Sequence, residues 1–221
     1  MAITRLELRR LRLDEPQLKR LPLRAIVALS ARCARRVQSL YDLPAWHPGA
    51  EQHRAALDEA LGLADAFASG MSFSPIARAV EAVENARLAA VGLNDDGCAF
   101  IAAGAALEAT HAVALACEAI NNLDLEVNSR RGMGQWQWPV GAPNVLDRVA
   151  HVAADLSVLA ALRAAEEAIG ADDGLAEGLV AATYLDYYTL VRLDLGSFPD
   201  EGMAVDPSAD GPLGPFHSQG G

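Results

Sequence analysis

The sequence predicts an all-α protein, a single bundle of about six alanine-rich helices. Alanine supplies 44 of the 221 residues, concentrated in windows whose apolar residues recur every three or four positions. The alternating pattern of a strand is nearly confined to residues 3–13. We therefore expect one helical domain over residues 1–195, beginning with an extended N-terminal arm. Residues 196–221, rich in proline and glycine, are expected to form an extended tail.

Local start and stop signals place the helices. The first tolerates Pro22 in its opening turn and ends before Pro44. The second ends at Gly70. The predicted helices are residues 21–41, residues 50–69, a helix that follows Ser74-Pro75, residues 98–121, a helix that Asn144 begins, and residues 174–193.

Three of these helices carry specific expectations about packing. The fourth is the most apolar and is predicted to be central. In the third, four side chains are expected to face the core: Ile76, Val80, Val83 and Leu88. The fifth has the strongest periodic signal in the chain, aliphatic residues at spacings of 4, 3, 4 and 3: Val145, Val149, Val152, Leu156 and Leu159.

Charge is unevenly distributed along the chain. Residues 1–41 carry ten basic and three acidic side chains, and the remaining 180 residues carry eight basic and 26 acidic ones. We expect the basic first helix to dock onto the acidic body. A basic arm for nucleic acid is the alternative, but the acidic body would repel phosphate. Nucleic-acid binding is therefore not predicted.

Fingerprints of common enzymes are missing from the sequence. No G-x-S-x-G, P-loop or dinucleotide motif occurs, so no cofactor is predicted. Cys33, Cys98 and Cys117 are far apart in apolar windows, which favours buried, reduced thiols over a disulfide framework or a zinc site. No secretory signal and no run of 18 uninterrupted apolar residues is found. We expect a cytoplasmic protein without membrane contact.

A metal site is one alternative interpretation of the polar residues. Glu108 and His111 form a Glu-x-x-His, which places a carboxylate and an imidazole on one helix face, but a di-iron bundle needs this motif twice. Asp147, His151 and Asp155 could supply further ligands from the fifth helix. Otherwise His111 is a hydrogen-bonded histidine at a helix contact, and the three residues of the fifth helix form a solvated face.

All three tryptophans lie in predicted loops, two of them in a long loop over residues 123–143. Tryptophan and arginine are the residue types most enriched at the energetic centres of protein interfaces. Alternatively, loop tryptophans fold back to cover the ends of a bundle. The predicted partner-binding residues are Trp46, Arg130, Arg131, Trp136 and Trp138.

The first three helices resemble a known family. The similar segments are residues 31–41 (ARCARRVQSLY), 53–60 (HRAALDEA) and 86–90 (ARLAA). Over about residues 24–120 the chain resembles the Imm5-like immunity proteins of bacteria. The resemblance implies an all-α, alanine-rich protein of the class predicted to neutralise toxins of contact-dependent or polymorphic systems. The matching polar positions are Arg36, Arg54 and Asp58, and the long tryptophan loop departs from the family's pattern.

These observations favour a partner-binding bacterial protein that acts as an immunity protein against a cognate toxin. An acidic body would speed encounter with a basic partner, and Trp136 or Trp138 would then anchor the contact. A helical metalloprotein and an adaptor or structural protein are the alternatives. No catalytic set is complete, and the sequence leaves open whether the protein forms a homodimer.

Overall fold

A computed structural model gives the architecture of residues 13–44, 46–71, 77–91, 98–132, 145–170 and 176–215. Within these ranges all regular structure is helical, which confirms the predicted all-α bundle. The helices are α1 (Glu15–Leu18), α2 (Leu23–Val37), α3 (Ala50–Ala68), α4 (Ala77–Ala89), α5 (Cys98–Gly132), α6 (Val145–Gly170) and α7 (Ala176–Arg192), with a 3₁₀ turn, Gln38–Leu40, after α2. The predicted N-terminal arm falls on residues 1–12, which lie outside the described residues.

The central helix is α5, which packs against α2, α3, α4 and α6. It runs antiparallel to α6, because Gly104 faces Glu167 and the Ser157 hydroxyl donates to the Ala112 carbonyl at 2.8 Å. Buried alanines on both helices permit this close approach; they include Ala105, Ala109, Ala116, Ala150, Ala154, Ala161 and Ala164. By length and composition alone, Cys98–Leu125 could span a membrane, and 61% of its most apolar window is buried inside the bundle.

The helix α5 is longer than the sequence predicted. A loop was expected over residues 123–143, but α5 continues to Gly132, so the loop prediction is wrong for its first ten positions. No glycine or proline lies between Gly104 and Gly132 to stop the helix, and the asparagines there lower helix propensity by only a few tenths of a kcal/mol each. Arg130 and Arg131 therefore lie in the last turn of a helix.

Two apolar faces differ from expectation. The evenly spaced aliphatic residues of α6, which we call its apolar row, form a pattern that usually marks a buried face. Here its described members point outward, with exposed fractions of 39% for Val149, 58% for Val152, 44% for Leu156 and 38% for Leu159. In α4, Val83 is buried, but the prediction for Leu88 is wrong: it is 54% exposed. Leu88 follows Val83 by five residues, about 140° around the helix. Ile76 lies outside the described residues.

The C-terminal segment packs against the helices. As predicted, residues 196–215 contain no helix. The Val205 amide donates to the Ala68 carbonyl at 2.8 Å, and the side chains of Val205 and Leu213 are buried. Pro22 has no side-chain donor or acceptor with which to cap α2. Instead, the backbone amides of Leu23 and Arg24, the first two of α2, donate to the carbonyls of Asp200 and Glu201, at 2.9 and 3.0 Å.

A wholly buried arginine holds the far end of this segment. Arg32 Nε donates to Asp186 at 2.8 Å. Its Nη atoms donate to the carbonyls of Pro207 at 2.9 Å and Gly214 at 3.0 Å. Arg36, one turn further along α2, also donates to Asp186. One carboxylate on α7 therefore accepts from two buried guanidinium groups.

Described basic residues of the first helix pair with acids of the body, as the charge pattern predicted. The described ion pairs between the basic first part of the chain and later residues include Lys19–Asp155, Arg24–Glu201, Arg32–Asp186, Arg35–Asp58, Arg35–Asp65 and Arg36–Asp186. These five basic side chains are therefore engaged within the fold.

Substituting Gly202 by alanine should lower the free energy of unfolding by about 2 kcal/mol, measured by urea unfolding followed by circular dichroism. Gly202 has φ +82°, and a Cβ there would lie 2.4 Å from side-chain atoms of Pro22. Gly214 is the matched control: its φ is +69°, with no atom within 4 Å of the added Cβ. Gly214→Ala should cost only the backbone strain, about 1 kcal/mol. Equal losses would show that the contact with Pro22 is unimportant.

Candidate functional site

Most residues of the predicted tryptophan and arginine interface lie beyond the described structure. Trp136 and Trp138 are outside the described residues, as are the side chains of Arg130 and Arg131. Trp46 is described and is 75% exposed. Its ring centroid lies 6.3 Å from that of His47. Trp46 is thus accessible to a partner and does not cover the core.

The three polar positions that the predicted resemblance to immunity proteins singled out do not form one cluster. The side chain of Arg36 is buried, 2% exposed, and pairs with Asp186. Arg54 is on the surface and lies 3.3 Å from Asp42. Asp58 is also exposed and accepts from the Gln38 amide group at 2.6 Å. Arg36 has a structural role, and only the other two could meet a partner directly.

The proposed metal ligands are also dispersed. His111 Nδ1 lies 3.7 Å from Glu108, and His151 Nδ1 lies 3.2 Å from Asp147 within α6. Asp155 is held by Lys19 at 2.8 Å. Within the described part of the chain, no three histidine, cysteine or carboxylate side chains converge as metal ligands.

The antiparallel arrangement of α5 and α6 explains this dispersal, because it places Glu108 near the C-terminal half of α6. Burial, followed by the charge of Glu108, raises the pKa of Glu167. The Arg87 guanidinium of α4 acts on both carboxylates and supplies positive charge at the place where a metal would be needed. Arg87 also donates to Glu84 at 2.9 Å, and this hydrogen bond lowers the pKa of Glu84.

A different group of residues forms a cleft that the sequence did not indicate. The cleft has a volume of about 180 Å³ and lies between the end of α3, the middle of α5 and the C-terminal segment. Its lining combines two carboxylates and an amide with apolar side chains and a thiol: Asp124, Glu201, Asn121, Phe67, Met71, Ile120 and Cys117. We call this the acidic cleft.

Local structure positions each wall of the acidic cleft. Cys117, Ile120, Asn121 and Asp124 follow one another at helical spacing and so share one face of α5. Gly70 ends α3 with φ +94°, and a Cβ there would lie 3.1 Å from the Arg24 guanidinium.

The electrostatics of the acidic cleft are negative. Glu201 pairs with Arg24 yet remains 42% exposed, and Asp124 is exposed on α5. Burial, followed by the charge of Glu201, raises the pKa of Cys117 to about 11, so the thiol is neutral and a poor nucleophile at pH 7. The cleft is therefore suited to holding a cation and unsuited to covalent chemistry.

A lysine or arginine side chain has the chemistry that this cleft would accept. Its charged end would meet the carboxylates of Asp124 and Glu201, and its aliphatic stem would contact the apolar lining residues Phe67, Met71 and Ile120. The one sequence signal was local: Asn121 and Asp124 interrupt the most apolar helix on a single face.

No protein-family model, no curated protein sequence and no solved structure matches the chain. The resemblance to Imm5-like immunity proteins therefore stays a prediction from the sequence. The site's own geometry carries the functional argument.

Proposed function

We propose that this is a partner-binding protein whose acidic cleft receives a lysine or arginine side chain of a basic protein. The observation that carries the proposal is that two carboxylates, Asp124 and Glu201, line the same cleft as the apolar side chains of Phe67, Met71 and Ile120. A single inserted side chain of this kind, buried at its stem, is a typical anchor of a protein interface.

The charge of the whole protein supports the same partner chemistry. Its formal net charge is −11, and much of its basic first part is internally paired. A negative surface accelerates encounter with a positively charged partner and weakens as salt is added. The predicted anchors Trp136 and Trp138 would add contacts with the partner. The exposed Trp46 lies before the start of α3, at the opposite end of that helix from the cleft, and would be a separate contact.

Neutralising a cognate toxin is the biological role that fits best with the family resemblance and with a basic partner. Adaptor function would use the same surface. The metalloprotein alternative has no geometric support among the described residues, since its ligands do not converge.

Reversing one charge in the cleft should strongly weaken partner capture. Immobilised protein is exposed to lysate of the source cell, and retained proteins are identified by mass spectrometry. We expect a basic protein that salt elutes. Asp124→Lys should weaken its retention by about 30-fold or more, because it places a like charge against the partner's cation.

The matched control is Glu59→Lys, which makes the same charge change at an exposed position of α3 outside the cleft. It should retain the partner. Equal loss of partner retention in both variants would show that only the net charge of the protein matters. Capture of only acidic proteins would refute the proposal. Co-expression with the captured protein then separates the two roles: relief of growth arrest supports immunity, and a harmless partner supports an adaptor.

A further inference from the structure

The apolar row of α6 is a second surface without a function in the fold. Val149, Val152, Leu156 and Leu159 point outward, 38–58% exposed. The opposite face of α6 is buried through small residues such as Ala150 and Ala161, with no contribution from this row. Four branched aliphatic side chains are thus left partly exposed on the outer side of a helix that packs mainly through its other side.

The spacing of the row is that of a helix–helix interface. Successive members are separated by 3, 4 and 3 residues, the a and d pattern of a heptad repeat. At 1.5 Å per residue, Val149 to Leu159 spans about 15 Å, or nearly three helical turns. A second helix laid along α6 could bury all four side chains.

Charges at the ends of the row define the partner further. Arg148 and Arg163 are exposed at its two ends, in a protein that is otherwise acidic. Asp155 lies beside the row, but Lys19 binds it at 2.8 Å and offsets its charge. The face is therefore apolar in the middle with an exposed arginine at each end, and Glu166 is exposed one turn beyond Arg163.

We propose that the outer face of α6 binds an amphipathic helix of a second protein, with a heptad-spaced apolar face and acidic residues at each end. A second copy of this face would bring the arginines of two molecules together. The chain's own residues 1–12 carry four arginines and would be repelled likewise. The surface shares no residue with the acidic cleft, so each interface can fail without the other.

The test uses two labelled helical peptides of about 20 residues, long enough to be stable helices, with leucine and isoleucine at a and d positions. One has glutamates at both ends and the other lysines. Fluorescence anisotropy should show at least about tenfold tighter binding of the glutamate peptide. The variant with Arg148→Glu and Arg163→Glu should reverse this preference. Equal binding of the two peptides, or no binding of either below about 1 mM, overturns the proposal.

Substitutions in the apolar row of α6 are the second part of the test. Leu156→Asp should weaken glutamate-peptide binding by about 30-fold. Leu185→Asp, at a 51% exposed leucine of α7, is the matched control and should leave it unchanged. Equal loss in both variants, or a wild-type dimer in sedimentation that only Leu156→Asp dissolves, would contradict the proposal. If Leu156→Asp fails to fold, the double arginine variant alone decides.

Discussion

Asp186→Asn should lower the free energy of unfolding by about 3–5 kcal/mol, the largest effect expected of any isosteric change in this chain. Asp186 is 1% exposed and accepts hydrogen bonds from the guanidinium groups of Arg32 and Arg36. Asparagine has the same shape but no charge, so two buried cations would lose the anion that they share. Arg36 is vulnerable because its Nε and Nη1 are buried without hydrogen-bond partners.

Urea unfolding followed by circular dichroism measures this loss, with Asp65→Asn as the control. Asp65 pairs with Arg35 at 2.6 Å, but its side chain is 31% exposed, so the same substitution should cost below about 1 kcal/mol. Asp186→Asn should also make residues 206–215 easier to cleave in limited proteolysis, since Arg32 holds their carbonyls. Similar losses in both variants would show that burial does not set the contribution of these ion pairs.

Helix ends were predictable wherever the chain carries a local signal. The second helix was expected over residues 50–69 and is found as Ala50–Ala68, because Gly49 and Gly70 mark its ends. The continuation of α5 beyond residue 121 was missed because its polar residues resemble a loop, although no glycine or proline precedes Gly132 there. Propensity alone is too small to end a helix that tertiary contacts support.

The candidate site was not predictable, because its parts meet only in the folded chain. Glu201 reaches the acidic cleft through backbone hydrogen bonds of the C-terminal segment to α2. Composition predicted correctly that this segment is not helical. The proline, glycine and aspartate residues of this segment do not reveal that its carbonyls accept hydrogen bonds from a buried arginine more than 170 positions earlier in the chain.

The orientation of α6 reverses the usual interpretation of hydrophobic periodicity. Large aliphatic residues dominate such a pattern, so the row at Leu156 gave the strongest signal. The interface with α5 selects small size instead, because the helix backbones approach closely enough for Ser157 to donate to the Ala112 carbonyl. In an alanine-rich bundle the conspicuous residues can therefore mark a surface, and the inconspicuous ones the core.

Exchanging sizes on the two faces of α6 tests that conclusion. Ala154 is fully buried, so Ala154→Leu should lower the free energy of unfolding by about 3 kcal/mol through overpacking against neighbouring helices. Leu156 is 44% exposed, so Leu156→Ala should cost below about 1 kcal/mol, far less than the same truncation in a core. Both values come from urea unfolding of the purified variants. If Leu156→Ala were the more damaging change, the row would belong to the core, and neither the packing described here nor a partner helix on α6 could stand.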